Sequence, residues 1–173
     1  CAPKDVTHLL CCPVCRADLL FHEQEYVCRE HSVFRRDKAG RPLLIAEEAF
    51  IQNKTEHTSG VNWLKSFLKQ FPRVYYGIWY FFCPILMVRN GPKKILKLVC
   101  RDAILLDVGS GPERLGEQFI NVDVFPFPEV DVVADASALP FRSNVVDGVV
   151  SESLLEHVAD PQAVADEMVR VLH

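Results

Sequence analysis

The run Ile104-Leu105-Leu106-Asp107-Val108-Gly109-Ser110-Gly111-Pro112 constrains this chain more than any other stretch. Its apolar part, rich in Ile, Leu and Val, predicts a strand buried on both faces. The strand stops abruptly at two glycines separated by one residue. Glycines turn the backbone tightly and let it approach a ligand with no Cβ in the way, the usual reason for placing them at the carboxyl end of a parallel strand. A nucleotide-like ligand is expected at that edge; the plainer reading is a glycine turn after a core strand.

Further strands follow in order. Ile120-Asn121-Val122-Asp123-Val124 carries an acid near its end, Val130-Asp131-Val132-Val133-Ala134-Asp135-Ala136 ends on Asp135, and Val145 to Glu152 closes on Ser151 and Glu152. In dinucleotide-binding folds an acid at the end of the second strand accepts hydrogen bonds from ribose hydroxyls. Asp123 is therefore expected to face a crevice with no packing role, and Asp147, before the fourth strand, to stand away from it. Leu139-Pro140-Phe141 lies between the third and fourth strands, and Leu154-Leu155-Glu156-His157-Val158 follows the fourth.

On these five segments, residues 104–172 resemble the class I S-adenosylmethionine-dependent methyltransferases, the small-molecule-type branch in particular. The resemblance implies an α/β fold, a Rossmann-like doubly wound and mainly parallel sheet. It also implies a cofactor site. Gly109, Ser110 and Gly111 would line the methionine end, with Asp107 contacting its ammonium. Asp123, with Val124 beside it, would take the ribose diol, and Asp135 and Ala136 the adenine. Ser151 and Glu152 would face the methyl group and its acceptor. Methyl transfer from a sulfonium needs mainly proximity and orientation. His157 is the candidate general base, alongside Glu152 as the second candidate catalytic group, since imidazole titrates near neutral pH; its plainer role is packing or capping the helix that opens there.

The sequence departs from the family pattern in three places. Glu113 stands where a third glycine is usual, so the loop must be built differently or Glu113 must point outward. Between Gly111 and Asn121 there is room for a short turn through Arg114, Leu115 and Gly116, and not for the customary first helix. The chain stops at Val169-Arg170-Val171-Leu172-His173, where three more strands are expected. The sheet is therefore expected to lack its carboxyl-terminal strands, and the chain, which starts at Cys1, to be a segment of a longer product. No secretory leader is visible, and a cytoplasmic location is expected.

Charge is segregated along the chain. Residues 1–50 hold seven Lys/Arg and eight Asp/Glu, residues 51–102 nine and two, and residues 103–173 three and thirteen. These blocks predict three parts with the same boundaries and, between them, independent folding. With a hydrophobic content of 49%, the whole is globular in composition.

In the first part, Cys12-Pro13-Val14-Cys15 and Cys28-Arg29-Glu30-His31 form two pairs separated by twelve residues. Such knuckle spacing points to one tetrahedral zinc ion held by Cys12, Cys15, Cys28 and His31, with Cys11 either spare or replacing His31. Four filled positions make a structural site with none left for water or substrate. Disulfides and free structural thiols are the plainer readings. Asp18 to Phe21, Glu25 to Val27 and the stretch after Gly40 predict short strands, which together outline an amino-terminal β-rich zinc ribbon. Residues 9–45 resemble the small zinc-ribbon proteins that activate tRNA and protein methyltransferases. The pairing ahead of such a domain is also similar to the bacterial 23S ribosomal RNA guanine methyltransferases, whose second pair is spaced by one more residue.

The basic middle part sets Trp63, Leu64, Phe67, Leu68 and Phe71 on one helical face. The apolar run Val74–Val88 is too short to span a membrane and is broken by Pro84. Three uses are expected of it: a lid over the substrate pocket, an interfacial membrane helix, or an RNA contact through basic residues interleaved with aromatics. The leading expectation is a methyltransferase acting on a small molecule or lipid. The alternatives are a ribosomal or transfer RNA methyltransferase and a non-catalytic adaptor with a vestigial cofactor fold.

Overall fold

The computed structural model of the chain describes residues 5–22, 25–31, 33–45 and 102–173. The expectations placed on residues 51–101, the helical face and the apolar run among them, lie outside the described residues.

Hairpin-forming residues build the first strands: β1 (Leu20–His22), β2 (Glu25–Val27), β3 (Val33–Arg36) and β4 (Pro42–Leu44), each antiparallel to the next. Strand β3 is not foreseen in the sequence. Of its four residues only Phe34 is buried, and a single inward apolar residue between exposed Val33 and Arg35 gives no usable alternation. Its Arg36 guanidinium lies 4.7 Å from the Phe21 ring centroid and donates to the Tyr26 hydroxyl at 3.0 Å.

The later strands fall where their apolar runs predict them. They are β5 (Leu105–Val108), β6 (Phe119–Asp123), β7 (Val132–Ala134) and β8 (Gly148–Val150), and all are parallel. Residues 112–118 link β5 to β6 by turns, with no helix, as the short spacing requires.

The two groups form a single sheet in the order β1-β2-β3-β4-β7-β6-β5-β8. Strand β4 pairs in parallel with β7, Leu43 opposite Val133 and Leu44 opposite Ala134. The independence suggested by the charge blocks is therefore not what the structure shows. One hydrophobic cluster takes Leu10, Cys12, Tyr26, Phe34 and Leu44 from the first part and Leu106, Val108, Ile120, Val122, Val132 and Phe141 from the last. Charge says where a segment can face water; it does not report backbone pairing at a sheet edge. The N–H and C=O groups of β7 that would otherwise face solvent are satisfied by β4, which also covers an edge prone to unwanted pairing.

Side chains alternate along the central strands, as strand geometry demands. Leu106, Val108, Ile120, Val122, Val132 and Ala134 point to the face covered by the amino-terminal segment and by helix α1 (Pro161–Val171); Leu105, Phe119 and Val150 cluster on the other. The expected helical opening at Leu154–Val158 is only one 3-10 turn, Leu155–His157. Helix α1 starts later because Asp160 caps it, accepting from Gln162 N and Ala163 N at 3.0 Å each, while Pro161 fits the first helical position and disfavours helix before it. Among the described residues no helix is long and apolar enough to cross a membrane.

Candidate cofactor crevice and cysteine cluster

Parallel strands bring their carboxyl ends to one edge. There the structure gathers Asp107 near the end of β5 and Gly109–Gly111 after it, Asp123 as the last residue of β6 and Val124 after it, Asp135 and Ala136 after β7, and Ser151 and Glu152 after β8. The glycine loop is built by backbone bonds. Gly109 N and Ser110 N donate to the Val122 carbonyl at 2.8 and 3.2 Å, and Gly111 N donates to Asp123 Oδ2 at 2.9 Å.

Gly109 and Gly111 take φ values of +75° and +63°, the left-handed region that side chains disfavour. Both left-handed positions fall on glycines, so Glu113 needs no such freedom in place of a third. Its carbonyl instead accepts from Asn121 Nδ2 at 3.0 Å. A Cβ at Gly111 would meet nothing within 4 Å, so open space lies beside the loop. A Cβ at Gly109 would come within 2.9 Å of Leu154 Cδ1. Gly109→Ala is thus expected to cost about 1–3 kcal/mol through strain and overpacking, read as a lowered melting midpoint.

The acids differ in their roles. Asp107 is buried at the end of β5. Asp123 is not the structurally idle carboxylate expected from the sequence: Oδ2 holds Gly111 N and Oδ1 accepts from Phe125 N at 2.8 Å. Asp135 caps the 3-10 turn Ala136–Ala138, accepting from Ser137 N and Ser137 Oγ at 2.8 and 2.7 Å. Asp147 accepts from Ile104 N at 2.7 Å, where it ties the start of β5 to the start of β8.

Two side chains fit the crevice less directly. Ser151 Oγ donates to the Val108 carbonyl at 2.9 Å, closing the end of β8 on β5. The His157 side chain is 74% exposed, with Nε2 at 3.5 Å from Glu156 Oε1, and Glu152 is exposed as well. In contrast, Ser110 Oγ is buried without a hydrogen-bond partner. A buried hydroxyl in that state incurs a desolvation cost that a bound ligand would offset.

Sequence reasoning missed three residues that shape the loop. Leu154 packs over Gly109, and Asn121 holds Glu113. Arg114 pairs with Asp131 Oδ1 at 2.7 Å and donates to the Phe119 and Glu129 carbonyls at 2.9 and 2.8 Å. Asp131 in turn accepts from Asn121 N at 2.9 Å. The available signal was a polar Asn inside an otherwise apolar strand, since a buried amide must find partners.

At the other end of the chain, Cys12, Cys15, Cys28 and His31 place one ligand atom each within 4.8 Å of one another. Cys15 Sγ and Cys28 Sγ are 3.5 Å apart, and Cys28 Sγ is 3.7 Å from His31 Nδ1. Tetrahedral zinc with Zn–S of about 2.3 Å sets its sulfurs ~3.8 Å apart, so the group fits that ion. Cys11, buried, falls outside the group, and its N–H donates to the Pro140 carbonyl at 2.9 Å. The Glu30 backbone N–H and the His31 ring hold the Cys28 thiol below its ordinary range, whereas burial pushes Cys12 up.

Residues 106–173 match the family model of a methyltransferase domain. No curated protein matches the chain. The match starts inside β5 and runs through the glycine loop, the three later parallel strands and α1. The cysteine cluster lies outside it, in the turn before β1 and the segment just after β2.

Proposed function

We propose that the crevice at the ends of β5–β8 binds S-adenosylmethionine and serves a methyltransferase acting on a small molecule or lipid. The observation that carries this reading is the glycine loop, with two left-handed glycines, open space beside Gly111 and a buried, unpartnered Ser110 hydroxyl. The bound cofactor supplies an activated methyl group on a sulfonium. The protein's part is to hold and orient. Ser110 and the loop backbone take the methionine end, with Asp107 near its ammonium. Asp123 accepts from the ribose hydroxyls, and the turn headed by Asp135 flanks the adenine. His157, exposed and beside Glu156, serves as a proton acceptor only once the acceptor molecule is bound over it.

We propose further that Cys12, Cys15, Cys28 and His31 hold one structural zinc ion. Isothermal titration of the purified chain with S-adenosylhomocysteine is expected to give saturable one-to-one binding, and elemental analysis about one zinc per chain. Absence of binding in metal-replete protein rejects the cofactor reading. Absence of metal in protein never exposed to chelator rejects the zinc site.

A further inference from the structure

One side chain joins the cysteine cluster to the adenine side of the crevice. Arg16 directly follows Cys15 and lies at φ +65°, a left-handed conformation that residues other than glycine disfavour. The knuckle closes around it: Arg16 N donates to the Cys12 carbonyl and Cys12 N to the Ala17 carbonyl, each at 2.9 Å. From that turn the guanidinium crosses to the other end of the chain. Nη1 donates to the Leu139 carbonyl at 3.1 Å, and Nη2 pairs with Glu167 Oε1 at 2.9 Å.

Glu167 is buried on α1 and also receives both Arg170 Nε and Nη2, at 2.8 and 2.9 Å. Arg170 donates in turn to the carbonyls of Leu139 and Phe141, at 2.9 and 2.8 Å. The chain entering the knuckle grips the same segment, through Cys11 N to the Pro140 carbonyl and Arg142 N to the Leu9 carbonyl at 2.9 and 3.0 Å. Leu139 closes the 3-10 turn that Asp135 opens. The conformation of the Cys12–Cys15 turn and the position of the Asp135–Leu139 segment are thus tied through Arg16.

We propose that Arg16 is a positioning residue that couples metal binding to cofactor binding, so that each tightens the other. The proposal rests on the cofactor reading given above. Its physical basis is preorganisation. A metal held by Cys12 and Cys15 keeps the intervening turn closed, and the closed turn keeps Arg16 in a backbone conformation it would otherwise leave. Without the metal, Arg16 relaxes toward negative φ and its guanidinium withdraws from the Leu139 carbonyl. The adenine-side segment then has to be ordered by the cofactor itself, which weakens binding.

The test uses the full chain and two variants. In the parent, removing zinc should weaken S-adenosylhomocysteine binding about fivefold or more, and saturating S-adenosylhomocysteine should tighten zinc, in competition with a chromophoric chelator, by the same factor, because coupling is reciprocal. Arg16→Gly relieves the left-handed strain and removes the side chain. It should keep one zinc per chain, bind S-adenosylhomocysteine about five- to tenfold more weakly, and show a coupling factor near one. Arg16→Lys should restore part of the coupling, since it keeps the charge and a donor. A residue that only stabilised the fold would shift the melting midpoint and leave the coupling factor intact.

A parent that binds S-adenosylhomocysteine with a coupling factor of one overturns this proposal alone. So does an Arg16→Gly variant that couples as strongly as the parent. A metal-replete parent that does not bind S-adenosylhomocysteine overturns the cofactor reading and this proposal with it.

Discussion

Cys15→Ser is expected to release the metal and to destabilise the whole sheet as one cooperative unit, with a single lowered melting midpoint, rather than to loosen the amino-terminal strands alone. Structural zinc in small domains carries about 10–16 kcal/mol of apparent binding free energy at neutral pH. Part of that goes into ordering the ligand turns themselves, so against the roughly 5–15 kcal/mol by which an entire domain is stable the metal-free sheet is weakened as a whole yet stays folded. The first strands have too few residues to bury a core of their own. Here they share one: Leu44 packs with Val132 and Ala134, and Leu10 pairs with Phe141 across an antiparallel bridge. Loss of β4 also strips β7 of its parallel partner. Hydrogen exchange separates the outcomes. Amides in β5–β7 should lose protection together with those in β1–β4. If Cys15→Ser frees the metal and exposes only residues 9–45, the modules fold independently and the shared core contributes little.

The parallel strands were legible in the sequence because burial on both faces leaves near-continuous apolar runs, and Leu105–Val108 and Val132–Ala134 are buried throughout. The cysteine cluster was legible because metal ligation fixes residue type and spacing together. The junction was not. Pairing of β4 with β7 is made by backbone groups, which every sequence carries, and Leu43 and Leu44 look the same whether they end a ribbon or extend a sheet. The arginine ties were hidden for a related reason: Arg16, Arg114 and Arg170 each reach main-chain carbonyls besides their carboxylate partners, and no residue type announces those. Asp123 was legible as a site residue and illegible as a structural one, because its backbone partners, Gly111 N and Phe125 N, exist only once the loop has folded.

That double role decides what Asp123→Ala will do. Its two carboxylate oxygens accept from Gly111 N and Phe125 N, and a carboxylate oxygen can accept more than one bond. Two bonds to a ribose diol, charge-assisted and worth roughly 1.5–3 kcal/mol, would be lost on truncation, so S-adenosylhomocysteine binding should weaken by about one to two orders of magnitude. Unlike an acid that merely faces a crevice, Asp123 should also cost stability, about 1–3 kcal/mol, because Gly111 N and Phe125 N lose their acceptor. Asp123→Asn should fall between parent and alanine, since an amide keeps one acceptor oxygen and turns a donor toward the other N–H. Asp147→Ala is the control. It removes an acceptor from Ile104 N at the opposite end of β5 and should lower stability while leaving the affinity unchanged. The decisive comparison is between melting midpoint and dissociation constant across these variants. If Asp123→Ala melts early yet binds S-adenosylhomocysteine as tightly as the parent, Asp123 braces the glycine loop and the ribose is held by other groups.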